Sequence, residues 1–176
     1  MRFSVNEKKT DDFHFRHPTI ADGAAIWQLV IDAGTLDQNS SYLYLLLCRN
    51  FANSCAVAER DGKLVGFVTG LRSTERPDVW FLWQIGVAPS ARGQGLAGRL
   101  AHFVLDALMP QGVRFLETTV TASNEASRAL FAGIARRLNT ELHESELFTT
   151  ELFPGTDHEA EPLLRIGPFD TASVSE

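Results

Sequence analysis

Residues Val79 to Met109 read VWFLWQIGVAPSARGQGLAGRLAHFVLDALM. The run from Val79 to Val87 is apolar, aromatic and β-branched, the composition of a buried strand. It breaks at Ala88-Pro89-Ser90, turns through Arg92-Gly93-Gln94-Gly95, and resumes at helical spacing with Leu96, Leu100, Phe103, Val104, Ala107 and Leu108. A strand that runs through a glycine-rich turn into a helix offers free N–H groups and the positive end of a helix dipole to an anion. Gly93 and Gly95 let the backbone approach that anion closely, and Arg92 and Arg99 add positive charge. The stretch predicts a site for a phosphate-bearing small molecule.

Two motifs fit the same letters. Gly93 to Gly98 matches G-x-G-x-x-G, with Glu117 nineteen residues beyond Gly98, near the dinucleotide spacing. Against it, five residues separate Val87 from Gly93, Glu117 falls inside a strand-like run, and the preceding strands form a hairpin. The second reading is Arg/Gln-x-x-Gly-x-Gly/Ala after a strand, met by Arg92-Gly93-Gln94-Gly95-Leu96-Ala97. That pattern resembles the acetyl-CoA signature of the GNAT N-acetyltransferases, and the order of elements favours it.

Outward from this unit, Phe13 to His17 alternates as a first strand. Thr19 to Asp22 can cap a helix that stops at Gly34, and Asn39 to Ser41 can cap a second one through Tyr42 to Cys48. Ser54–Glu59 and Leu64–Leu71 read as strands joined by Arg60-Asp61-Gly62-Lys63, whose Asp-Gly pair signals a tight hairpin. After the central helix come a strand over Val113–Val120, a helix capped by Asn124 to Ser127, and a strand over Thr140–Phe148. A polar loop over Leu152–Glu161 precedes a last strand at Leu163–Phe169. The expectation is an α+β fold: a mixed, mostly antiparallel sheet of six or seven strands flanked by about four helices. One domain covers 13–169, with 1–12 and 170–176 as flexible termini.

A chain of 176 residues, 44% hydrophobic and 22% charged, reads as globular and soluble. No apolar run reaches the roughly 20 residues of a membrane span, and the N-terminus lacks a signal-peptide core. Two cysteines without zinc-like spacing point to a reduced, cytoplasmic setting and no metal. The net charge of −6 argues against nucleic acid and fits a cationic substrate.

Leu36-Asp37-Gln38-Asn39-Ser40-Ser41-Tyr42, Trp83-Gln84, Glu117 to Thr121, Ser123-Asn124 and Leu164 to Phe169 form a second set. Together they resemble the L-2,4-diaminobutyrate acetyltransferases of ectoine biosynthesis, over about residues 13 to 169. The resemblance implies transfer of an acetyl group from acetyl-CoA to the 4-amino group of a small cationic amino acid, L-2,4-diaminobutyrate. It implies acetyl-CoA in the splay between two central strands, its pantetheine arm on Ile85 to Val87 and its pyrophosphate on Arg92 to Ala97, with Gly93, Gln94 and Gly95 between. Asn124 matches the position that hydrogen-bonds the CoA arm, and a plain helix cap explains it equally. Asp37, Tyr42, Trp83, His158 and Glu159 carry over as the substrate pocket. Small enzymes of that fold often pair, so a homodimer stays open.

Glu117 shares a strand face with Thr119 and Thr121 and is the candidate general base. The alternative is a structural acid paired with an arginine, since an unpaired buried charge is costly. Phe131 stands where many acetyltransferases of this fold have a tyrosine, and a phenyl ring cannot protonate the leaving thiolate. Acetylation of another amine, or acyl-CoA binding without catalysis, remain competing readings.

Overall fold

Asp61 and Gly62 adopt φ of 54° and 71°, the left-handed pair that a two-residue hairpin requires. A computed structural model gives the fold, describing residues 13–34, 36–155 and 157–169. The proposed flexible termini lie outside these residues. In chain order the elements are β1 (His14–Arg16), α1 (Gly23–Ala33), α2 (Ser41–Asn50), β2 (Ala56–Arg60), β3 (Lys63–Arg72) and β4 (Val79–Val87). They continue with α3 (Leu96–Leu108), β5 (Phe115–Thr119), α4 (Glu125–Arg137), β6 (Leu142–Phe148) and β7 (Glu161–Ile166). The sheet order is β1-β2-β3-β4-β5-β7-β6. Among the described residues only β4 and β5 run parallel; every other pair is antiparallel. This is the expected α+β architecture, with seven strands and four α-helices among the described residues. The last strand begins two residues earlier than expected and ends at Ile166, where Gly167 takes φ 126°. Glu161 is therefore a strand residue, not part of the loop.

Alternation divides the core in two. Ala56 and Ala58 face α3 and α4, while Val57 between them faces α1 and α2. On α3, Leu96, Leu100, Ala101, Val104, Leu105 and Leu108 form one buried stripe at helical spacing. Each buried leucine contributes about 1.5–3 kcal/mol. Across the sheet, Ile26 and Val30 of α1 and Tyr44, Leu47 and Cys48 of α2 close over Val57 and Phe67.

Arg16 ties β1 to the entry of α1 and to β2. Its Nη1 and Nη2 donate to Asp22 Oδ2 and Oδ1, each at 2.8 Å, and its Nε donates to Glu59 Oε1 at 3.0 Å. The Arg16 fork holds the Asp22 carboxyl at about 2, against the opposing effect of burial. A depressed carboxyl stabilises the fold above its unfolded value, near 3.9, and that contribution disappears as pH falls toward about 2. Allowing for partial exposure, it amounts to about 1–2 kcal/mol. Urea midpoints measured between pH 5 and pH 2 should fall for the native chain, and fall less for Asp22→Asn.

Candidate active site

The parallel pairing of β4 with β5 covers only Val79–Phe115, Trp80–Leu116 and Phe81–Glu117. Beyond Phe81 the strands part: β4 stays with β3, and β5 stays with β7. One edge of β4 thus loses its strand partner, and its backbone polar groups face the gap. The gap is a hollow of about 670 Å³ lined by Leu82 to Ile85 on one side and Thr118 to Thr121 on the other.

A bulge in β4 sets the hollow's chemistry. Thr69 pairs with Gln84 and Gly70 with Leu82, so Trp83 is an extra residue. Trp80 and Leu82 pack in the α3 core, and after the bulge so do Ile85 and Val87. The one-residue shift in phase sends Gln84 to the α1–α2 face. There it is buried, and its Oε1 accepts from Tyr44 Oη at 2.8 Å while its Nε2 donates to Asp37 O at 3.0 Å. Burial pushes the Tyr44 phenol up, which keeps it a donor. Trp27 Nε1 donates to Asn39 O at 3.1 Å. These bonds fix the loop that carries Asp37 against the sheet.

The hollow opens through the sheet. On the α3–α4 side it meets Ile85, Asn124, Ser127 and Phe131; on the other it meets Asp37, Trp83, Thr119, His158 and Glu161. Asn124 Oδ1 accepts from Ser127 N at 3.1 Å, so Asn124 is the helix cap and also borders the hollow. Trp83 lies 6.2 Å from the Tyr44 ring. His158 stacks on Phe153, with ring centroids 3.7 Å apart, and its Nδ1 lies 2.7 Å from Glu159 O. A carbonyl only accepts, so Nδ1 carries the hydrogen, and in the neutral ring Nε2 is the nitrogen left with a lone pair. Nε2 lies 3.6 Å from Glu161 Oε1, and Glu161 Oε2 accepts from Thr119 Oγ1 at 2.5 Å. Glu159 binds Ser123 through its Oγ and N–H.

The glycine-rich turn follows β4 as expected. Gly93 and Gly95 have φ of 72° and 69°, and Gly95 precedes α3 without a side-chain cap. The first-turn N–H groups of α3, from Leu96 and Ala97 onward, have no intrahelical partner. Arg92 Nε donates to Val87 O at 3.3 Å, and Gln94 Nε2 to Ser90 O at 3.5 Å, which shapes the turn. Ile85 borders the hollow; Val87 packs in the α3 core and gives its carbonyl to Arg92. Arg99 lies over the rings of Phe13 and Phe15 rather than in the turn.

Two of the expected site residues stand apart from the hollow. Glu117 does not border the hollow. Only 1% exposed, it accepts through Oε1 from Arg76 Nη1 at 2.9 Å and from Arg165 Nη1 at 2.6 Å. That is the setting of the structural acid: two guanidiniums hold the carboxylate from Oε1, and the residue is sealed away from the hollow. Tyr42, 64% exposed, also stands off the hollow. Tyr44, Leu47 and Cys48 are the face of α2 that meets the sheet, and Tyr42 lies about half a turn away from Tyr44. Glu161 and Thr119 were missed. The available signal was parity: Glu161, Leu163 and Arg165 share one strand face once the strand begins at Glu161.

Residues 23–134 match the model of the acetyltransferase (GNAT) family. The chain is 48% identical over 159 residues to an L-2,4-diaminobutyric acid acetyltransferase of Marinococcus halophilus, covering 90% of this chain and 92% of that one. It is 50% identical over 152 residues to a protein of the same name from Halalkalibacterium halodurans, covering 86% and 80%. Among solved structures it is similar to the diaminobutyrate acetyltransferase EctA from Paenibacillus lautus, in complex with L-2,4-diaminobutyric acid and coenzyme A. There the TM-score is 0.86 at 42% identity, over 90% of this chain and 96% of that one. The ribosomal-protein-S18-alanine N-acetyltransferase of Escherichia coli, at 20% identity and TM-score 0.68, shares the fold. With the splayed strands, the glycine turn and these relatives in agreement, the chain belongs to the GNAT acetyltransferases and, within them, to the L-2,4-diaminobutyric acid acetyltransferase family.

Proposed function

We propose that this chain transfers the acetyl group of acetyl-CoA to the 4-amino group of L-2,4-diaminobutyrate, giving the N4-acetyl product used in ectoine biosynthesis. The observation that carries the reading is the hollow that passes through the sheet between β4 and β5. Its α3–α4 side meets Ile85 of β4, the strand that leads into the glycine turn, and its other side holds Asp37, Trp83, His158 and Glu161. Acetyl-CoA lies along the free edge of β4, its diphosphate on the N–H groups of Arg92 to Ala97, with Gly93, Gln94 and Gly95 between. The pantetheine arm runs past Ile85, Val87 and Asn124. A β4 N–H in the gap faces the thioester carbonyl and stabilises the oxyanion.

Diaminobutyrate enters from the other face. The carboxylates of Asp37, Glu159 and Glu161 attract its ammonium groups, and Trp83 covers its methylenes. Amine attack on the thioester carbon forms the C–N bond and breaks C–S. The amine must first lose a proton, and the pair Glu161–His158 takes it, since both present lone pairs at the hollow. The thiolate leaves without help from Phe131. The acetyltransferase domain spans residues 13–169, works in the cytoplasm and pairs as a homodimer. No described helix is long and apolar enough to cross a membrane.

Product formation from acetyl-CoA, compared across L-2,4-diaminobutyrate, ornithine, lysine and putrescine, tests the reading. Diaminobutyrate should give the highest kcat/KM and a product acetylated at N4. Equal use of putrescine, or acetylation at N2, would contradict it, as would acetyl-CoA binding without turnover on any amine.

A further inference from the structure

His158 and Glu161 approach Asp37 from a segment more than a hundred residues later in the chain. One donor atom from each of the three lies within 4.8 Å of the others. We propose that these three side chains form a binding site for a divalent transition metal such as Zn²⁺ or Co²⁺, and that the bound ion excludes the amine substrate.

Acidic clusters alone are common on protein surfaces. Here an imidazole is among the donors, and His158 and Glu161 are each held from behind. His158 Nε2 presents its lone pair because Nδ1–H is directed at Glu159 O, 2.7 Å away, and the ring is stacked on Phe153. An outer hydrogen bond from histidine to a carbonyl is what orients imidazole ligands in metal sites. Thr119 Oγ1 occupies one oxygen of Glu161 and leaves Oε1 facing His158 at 3.6 Å. That separation is close to the edge of a tetrahedron built on bonds of about 2.0–2.2 Å. Asp37 sits on the loop fixed by Gln84 and is exposed, so a change of rotamer can bring its carboxylate toward the other two donors. A fourth position opens into the hollow.

One nitrogen and two carboxylates suit zinc, cobalt or copper; magnesium and calcium prefer all-oxygen sets. Other donors compete poorly. Cys48 and Cys55 are buried, and burial pushes their thiols up to about 11 and about 12. His143 pairs with Glu141 at 3.1 Å on an exposed strand and provides a control. Exclusion of the substrate rests on the proposed function, since the same lone pairs receive its ammonium groups; metal binding itself does not.

The test titrates the metal-free full-length chain with Co²⁺ and follows the visible absorption of a low-coordinate cobalt complex. One Co²⁺ per chain should bind, Zn²⁺ should displace it, and excess Mg²⁺ should not. His158→Gln and Glu161→Gln, each checked by circular dichroism and acetyl-CoA binding, should lose the signal; His143→Gln should keep it. Diaminobutyrate should compete with cobalt. In turnover followed by chromatography of the acetylated amine, Zn²⁺ at nine times its dissociation constant should raise the apparent KM for the amine about tenfold. A signal that survives in both folded variants, or that His143→Gln abolishes, would overturn the proposal. Zinc inhibition that saturating amine does not relieve would overturn the exclusion. Cobalt binding in a chain that acetylates no amine would instead refute the functional reading and leave the metal site standing.

Discussion

Glu161→Gln is expected to lower kcat/KM for diaminobutyrate by about 10²–10⁴-fold, the range of a lost general base, while acetyl-CoA affinity stays within a factor of about two. Glu161 borders the hollow with one oxygen toward His158 and the other bonded to Thr119. Glutamine keeps the shape and still accepts from Thr119, so the loss isolates the charge. The residue stands on the substrate face, away from the glycine turn, which is why cofactor affinity should not follow. Steady-state kinetics and calorimetry on the two ligands check this. A larger kinetic loss in Glu117→Gln than in Glu161→Gln would return the base to Glu117.

Arg165→Met should destabilise the fold by about 3 kcal/mol, the lower end for breaking a buried ion pair. Its Nη1 lies 2.6 Å from the carboxylate of Glu117, which is only 1% exposed, and its guanidinium lies over the Phe115 ring at 3.8 Å. Arg76 remains to neutralise the acid, and this limits the cost. In a chain of this size, the change amounts to a fall in melting temperature of about 6–12 °C. Turnover per folded molecule should change little, because none of Arg76, Phe115, Glu117 and Arg165 borders the hollow. Differential scanning fluorimetry with active-site titration separates the two quantities. An unchanged melting temperature with lost turnover would place this cluster in the reaction.

Local chemistry made much of the molecule legible in its sequence. Asp61-Gly62 specifies its hairpin because few other pairs accept two left-handed residues. Asn124 caps α4 as its position foretold, and the Gly93–Gly95 turn lies between strand and helix. What sequence hid were consequences of register. VWFLWQIGV is apolar throughout, so nothing marks Trp83 as the extra residue, and hence nothing shows that Gln84 turns to meet Tyr44 and Asp37. Glu161 escaped notice because the polar letters before Pro162 read as loop, whereas pairing with Phe148 of β6 draws it into a strand. Glu117 was read as buried, and as either a base or an acid paired with an arginine; its two arginine partners favour the second. Its partners Arg76 and Arg165 lie 41 and 48 residues away, and a one-dimensional pattern cannot bring them together.

In the proposed reaction, thioester and amine meet in the gap where β4 parts from β5. A crystal structure of this chain with coenzyme A and diaminobutyrate tests it most directly. The diphosphate is expected on the backbone N–H groups of Arg92 to Ala97, and the 4-amino nitrogen between Glu161 and the sulfur, about 3–3.5 Å from where the acetyl carbon would lie. A diphosphate bound away from that turn, or diaminobutyrate bound outside the hollow, would contradict it.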